Sequence, residues 1–206
     1  MDPITRLVLP MTQPASAIKI ICGLGNPETV APRESLHNIG FFAVDSYALD
    51  TATLPAWELV DDALVCEIAH PHGTLLLAKP LFQDINFSGV PIRKLLDRHR
   101  LEPAELAVIH DDLDLALGRI KITRADDSPR HNGVRSVKAE LSESKFIQIK
   151  GGIGRPPAGT PTLEWVKGAF PESMTSAVRE LSEKLGAAAR TLKDLGLEAA
   201  QRIIHS

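Results

Sequence analysis

Three histidines of this 206-residue chain, His37, His110 and His131, stand where they could move protons. An unperturbed imidazole titrates near ~6.5, which suits acid–base work at neutral pH. His37 opens a helical pattern. His110 and Asp111 close a short apolar run, and His131 and Asn132 precede another helix. Asn26 and Asn86 complete a set of polar residues at segment ends. His37 could act as a general base that takes a proton from water. Asp111 could orient it and stabilise its charged form, as the aspartate of a catalytic triad does. Asn26, Asn86 and Asn132 could hold a water and a carbonyl, and so stabilise a developing oxyanion. Each has a plainer explanation. A lone histidine at a helix start is more often structural, a strand-end aspartate turns or caps the chain, and an asparagine before Pro27 is ordinary turn chemistry.

Other chemistries fit less well. No serine or cysteine sits in a nucleophile elbow, so water is the expected nucleophile. Cys22 and Cys66 lack metal-ligand spacing and lie in apolar runs, as buried thiols do in a reducing compartment. The runs His110-Asp111-Asp112-Asp114 and His70-His72 match no known ligand spacing, so no metal is expected. Gly23-Leu24-Gly25 follows a strand pattern, but Glu28 replaces the third glycine of a dinucleotide fingerprint and no helix pattern begins there. No cofactor is expected. Lys121, Arg124, Arg130, Arg135 and Lys150 could contact phosphates, and such contacts are salt-sensitive.

The elements that must position these groups show in the periodicity. Ala17–Leu24 reads as a buried strand. Ile39, Phe42, Ala43 and Tyr47 share one face of a helix over 37–47. Ala63–His70 and Thr74–Lys79 form a hairpin about Pro71-His72-Gly73. Ser88 is placed to cap a helix whose apolar face includes Ile92, Leu95 and Leu96. Ala107–His110, Arg119–Thr123 and Phe146–Lys150 read as strands, and Asn132–Leu141 as a helix with Val134, Val137 and Leu141 on one side. From Glu172 the chain is helical, with Gly186 and Gly196 as candidate breaks. Strands alternating with helices imply an α/β fold. It is a single domain with a twisted, mostly parallel mixed sheet and helices on both faces. Ligands of such sheets bind at the carboxyl ends of the strands.

Composition sets the outer bounds. Apolar residues at 44% and charged residues at 24% are ordinary for a folded protein with a core. No apolar run is long enough to span a membrane. The net charge of −3 is unevenly distributed. Between Gly118 and Lys167, ten Lys and Arg face five Asp and Glu, so this stretch can present a basic face. Charge alone favours an ordinary solvated surface. Residues 1–16 hold three prolines and one basic residue, which fits an N-terminal extension without order better than a secretory or mitochondrial leader. The domain proper is expected over 17–206. A cytoplasmic location is expected, with the mitochondrion as the alternative.

Taken in order, the polar segments resemble the bacterial-type peptidyl-tRNA hydrolase family. Gly23-Leu24-Gly25-Asn26-Pro27 is similar to that family's opening motif, and His37-Asn38-Ile39-Gly40-Phe41 to its HNxG motif. Lys79-Pro80 with Asn86-Phe87-Ser88-Gly89 resembles KPxTxMNxSG. His110 to Leu115, with Gly118, resembles HDELDLPxG. His131-Asn132-Gly133 matches HNG, Gly152 to Pro156 matches GIGRP, and Val166 to Phe170 resembles VLGxF. The resemblance runs from about Ile18 to the C-terminal helix. It implies a monomer without metal or cofactor, which hydrolyses the ester joining a peptide to the terminal ribose of tRNA. It implies His37 as the base, Asp111 as its partner, and Asn26 as the holder of the peptide main chain. Asn86 and Asn132 would position water and substrate, alongside Ile85 and His131. Lys121, Arg124, Arg130 and Lys150 would meet tRNA phosphates.

The sequence departs from the family pattern in four places. The loop Glu28–Leu36 is one residue longer and lacks the usual tyrosine. Leu81–Ile85 carries an insertion, with Ile85 where methionine is expected. The glycine-rich run before His131 is Ala125-Asp126-Asp127-Ser128-Pro129-Arg130. Thr123 replaces a phosphate-clamp lysine, beside Arg124. These changes motivate an alternative, a paralogue of the same fold that binds RNA without hydrolysis. An unrelated hydrolase or transferase on this architecture is a second alternative.

Overall fold

The computed structural model describes residues 17–51, 54–124, 130–142 and 145–205. The expected N-terminal extension and the acidic run 125–129 lie outside the described residues.

Among the described residues, seven strands form one sheet in the order β2-β3-β4-β1-β5-β7-β6. They are β1 (Ile20–Gly23), β2 (Glu58–Val60), β3 (Ala63–Ile68), β4 (Leu75–Pro80), β5 (Leu106–Asp112), β6 (Ile120–Thr123) and β7 (Ile147–Gly152). The four central strands run parallel, through the pairs β1–β4, β1–β5 and β5–β7. The expected hairpin is β3–β4, antiparallel, with Ile68 opposite Leu75. The central strands carry apolar residues on both faces, as strands covered on two sides must.

Helices cover both faces. α1 (Ile39–Leu49) and α5 (Thr175–Ile204) pack on one side, against Ile21, Ala107, Ile109, Ile147 and Ile149. α2 (Gly89–His99) and α3 (Asn132–Leu141) pack on the other, against Ile20, Cys22, Val108 and Phe146. The periodic residues anticipated on α2 and α3 are all buried. Cys22 and Cys66 are buried free thiols, and burial pushes both upward in pKa, away from the nucleophilic thiolate.

Several expectations need correction. β1 spans only Ile20–Gly23, and the central strand extends past His110 to Asp112, so Asp111 lies within β5. Periodicity did not mark β2 or the short helix α4 (Thr162–Lys167). Ser88 occupies the N-cap of α2 without a side-chain cap bond, because its hydroxyl turns back to donate to the Ile85 carbonyl at 2.8 Å. Gly186 does not break α5. It lies against α1, where a Cβ would stand 3.1 Å from the Ala43 carbonyl oxygen. Gly196 does break the helix, with φ 79° and ψ 176°. The last turns then swing over the edge strand β6, where Gln201 Nε2 donates to the Ile122 carbonyl and the Ile122 N–H donates to His205 Nε2. Two side chains thus satisfy backbone groups that an open edge would expose.

Candidate active site

The carboxyl ends of β1, β4, β5 and β7 carry Asn26, Ile85-Asn86, Asp111 and Arg155, at or just past each strand end. β1 lies where the chain order reverses, with β4 on one side and β5 on the other, which is the switch point of an open α/β sheet.

Close backbone approach brings His37 to this edge. A Cβ on Gly23 would collide with the Gly40 carbonyl, and a Cβ on Gly40 with the Leu24 backbone. The missing side chains let the first turn of α1 sit directly on the ends of β1 and β5. The turn Leu36–Asn38 precedes α1 and points His37 at Asp111, 74 positions later, with Nδ1 2.7 Å from Oδ1.

A second imidazole reaches the same oxygen. His131 Nε2 lies 3.0 Å from Asp111 Oδ1. His131 is also the N-cap of α3, where its Nδ1 accepts the Val134 N–H at 3.2 Å. An imidazole that accepts at Nδ1 holds its proton on Nε2, so His131 is neutral and donates to Asp111. His37 likewise donates Nδ1–H, since an ionised carboxylate only accepts. In neutral His37 this makes Nε2 the basic nitrogen, and Nε2 has no hydrogen-bond partner among the described residues. Burial opposes charge on Asp111, yet the two imidazoles hold its carboxyl well below the usual carboxylate range. His110 is different. Burial pushes it down to about 3, while its Nδ1–H donates to the Asp111 carbonyl at 2.7 Å. The His131 ring sits between the other two, with centroids 5.1 Å from His37 and 4.8 Å from His110.

The cleft over this cluster has a volume of about 690 Å³. It is lined by His37, Asp111 and His131 together with Leu113, Leu163, Val166, Arg130 and Arg155. Asp114 pairs with both arginines, with Arg130 at 3.4 Å and with Arg155 more closely. An exposed pair of this kind contributes little, roughly 0–1 kcal/mol, so an incoming anion can displace it.

The structure gathers the other expected residues unevenly. Asn132 opens α3 and lines the cleft. Asn26 is buried. Its Oδ1 accepts the Ile85 N–H at 3.0 Å, and its Nδ2 has no partner among the described residues. Asn86 is exposed, donates through Nδ2 to Asp84 at 3.1 Å, and is not among the residues that line the cleft. Ile85, anticipated as a substrate wall, lies in the core between the sheet and α3. His131, anticipated as a substrate contact, borders the cleft but commits both nitrogens within the protein. Lys121 is exposed opposite Lys150 in the β6–β7 register, whereas Lys150 is 2% exposed with Nζ 3.9 Å from Asp112. Lys150 is therefore an interior residue here and not a surface phosphate contact. Arg124 is exposed and donates to the Lys145 carbonyl.

His37, Asp111 and His131 also place one potential metal-ligand atom each within 4.8 Å of one another. Numbering hides this group, since its members are far apart in the chain. A cation there would have to displace the protons that both imidazoles give to Asp111. Of the two runs weighed in the sequence, His110 is committed to the Asp111 carbonyl, and His70 pairs with Asp194 at 2.9 Å. Sequence reasoning gave no role to Arg155, Leu163 or Asn38. Arg155 was legible as the only cation of the GIGRP segment, whereas nothing in the sequence marks Leu163.

A family model described as peptidyl-tRNA hydrolase matches residues 20–206. Among curated relatives, the peptidyl-tRNA hydrolase of Nocardia farcinica is 31% identical over 195 residues, covering 95% of this chain and all of that one. That of Oceanobacillus iheyensis is 34% identical over 169 residues, covering 81% and 88%. The fold matches the crystal structure of peptidyl-tRNA hydrolase from Acinetobacter baumannii with a TM-score of 0.81 at 22% identity, over 93% and 96% of the two chains. By the family model over residues 20–206 and these curated relatives, this chain belongs to the peptidyl-tRNA hydrolase family.

Proposed function

We propose that this protein hydrolyses the ester between a peptide and tRNA, with water as nucleophile and His37 as general base. The observation that carries the reading is the 2.7 Å contact of His37 Nδ1 with Asp111, which in neutral His37 makes Nε2 the basic nitrogen of a side chain lining the cleft. Nε2 takes a proton from water as the oxygen attacks the ester carbonyl. Asp111 stabilises the imidazolium that results. The tetrahedral intermediate then expels the ribose oxygen, which receives the proton back from Nε2. General-base catalysis of this kind contributes ~10²–10⁴-fold.

The remaining residues have fitting parts. A buried amide donor left without an acceptor costs ~1–3 kcal/mol, so the Asn26 Nδ2 is ready to bond a substrate carbonyl. Asn132 at the cleft edge suits a second contact of that kind. Asn86 would have to leave Asp84 to join them. Lys121, Arg124, Arg130 and Arg155 supply positive charge for the tRNA backbone. The working unit in this reading is residues 17–206, acting as a monomer in the cytoplasm.

The test is incubation of the purified protein with a defined peptidyl-tRNA, with and without a chelator, following release of free tRNA. Release at equal rates in both arms is expected. Tight tRNA binding without release would overturn the reading, and loss of release with chelator would overturn the metal-free mechanism.

A further inference from the structure

Asn38 follows the proposed base directly, is 2% exposed and touches no wall of the cleft, yet its side chain makes three hydrogen bonds. Its Oδ1 accepts the Asn26 backbone N–H at 2.7 Å. Its Nδ2 donates to the carbonyls of Pro32 at 3.3 Å and Arg33 at 3.1 Å. We infer that Asn38 is a positioning residue for the hydrolysis proposed above, fixing Asn26 and the 27–36 loop relative to His37.

Asn26 is gripped at two points. Asn38 holds its backbone N–H, and the Ile85 N–H holds its side-chain oxygen. With both fixed, the direction of the unpartnered Nδ2 is fixed as well. The contact requires Gly25, because a Cβ there would stand 2.9 Å from Asn38 Oδ1. Gly25, Asn26 and Asn38 therefore form one unit that joins the end of β1 to the start of α1. The same side chain anchors a loop whose far side is zipped to the segment after α4. The Phe170 N–H donates to the Glu34 carbonyl, and Ser35 bridges Ala169. Asn38 thus ties together the segment bearing the base, the proposed carbonyl donor, and the wall that α4 contributes to the cleft. A misplacement of about 1 Å at such a site can cost ~10²-fold in rate.

The inference rests on the hydrolytic reading, and its test is a double-mutant cycle on turnover of peptidyl-tRNA. Asn38→Ala removes all three bonds. Asn38→Asp keeps the acceptor for the Asn26 N–H and sets an oxygen against the two loop carbonyls, so it supplies the same cycle if the alanine variant does not fold. Both are assayed at a temperature where circular dichroism shows them folded. Expected are a kcat lowered at least ~10-fold, a KM changed less than ~3-fold, and a combination with Asn26→Ala that is no slower than Asn26→Ala alone within ~3-fold. A kcat within about twofold of wild type, or losses that multiply in the double variant, would overturn the inference. An inactive wild-type protein would instead sink the hydrolytic reading. Amide exchange separates the two failures. The Asn26 N–H should exchange faster in Asn38→Ala, which lacks its acceptor, and unchanged exchange in that variant would refute the clamp itself.

Discussion

The backbone of Gly40 lies so close to that of Ile109 that a Cβ on Gly40 would stand 2.5 Å from the Ile109 carbonyl oxygen. That oxygen already accepts the Leu24 N–H at 2.8 Å, so it cannot yield without breaking the bond that joins the end of β1 to β5. The distance between His37 and Asp111 is set by this approach. Gly40→Ala should therefore destabilise the fold by ~3 kcal/mol or more, beyond ordinary overpacking, because backbone and not side chain must move. Urea denaturation measures it. A midpoint close to wild type would show that α1 can lift from the sheet at little cost.

Asp111 binds both imidazoles through one oxygen. Asp111→Asn keeps the shape and removes the charge, so the imidazolium formed during reaction loses its stabiliser. A kcat lower by ~10²–10⁴-fold with KM nearly unchanged is expected from steady-state kinetics. A loss confined to KM would place Asp111 in substrate binding instead.

His131 has two separable duties. Asparagine at this position can still offer an acceptor to the Val134 N–H, but it lacks the Nε2–H that meets Asp111. His131→Asn should keep the thermal midpoint and lower turnover. His131→Ala should lower both, with the lost helix cap costing about 1 kcal/mol. Differential scanning calorimetry beside kinetics separates the duties. Equal stability of the two variants would remove the capping role.

His110 predicts the acid response of the fold. Burial holds it neutral down to about 3, whereas an unfolded chain protonates it near 6.5. Between these values the unfolded state binds the extra proton, so stability falls as pH falls through the window and is fully present above it. His110→Asn can retain the bond to the Asp111 carbonyl without a titrating group. The variant should show a flatter profile of unfolding free energy between pH 6.5 and 3. Parallel profiles would assign the acid sensitivity to other groups.

The sequence revealed the layers and most of the site for physical reasons. Periodicity marks α3 to the residue, because Val134, Val137 and Leu141 face the core while His131 supplies the cap. The pairing of His37 with Asp111 was expected from residue type and from family resemblance. What sets it in space, the glycine contacts of Gly23 and Gly40, emerges only when β1, α1 and β5 meet. The second ligand of Asp111 was illegible because an N-capping histidine looks like any residue before a helix. Lys150 misled for a related reason. A lysine in a strand reads as a surface charge, yet β7 is covered on both faces and its stem is drawn inside. Asn86 followed its motif, but Asp84 two residues earlier caps the same turn and takes the amide.

The central claim is that His37, oriented by Asp111, activates the attacking water. The most direct measurement is single-turnover hydrolysis of a defined peptidyl-tRNA by His37→Ala beside wild type, with the affinity for uncharged tRNA measured in parallel. The account predicts a rate reduced ~10²–10⁴-fold and an affinity within about threefold of wild type. Wild-type hydrolysis by the alanine variant would contradict it.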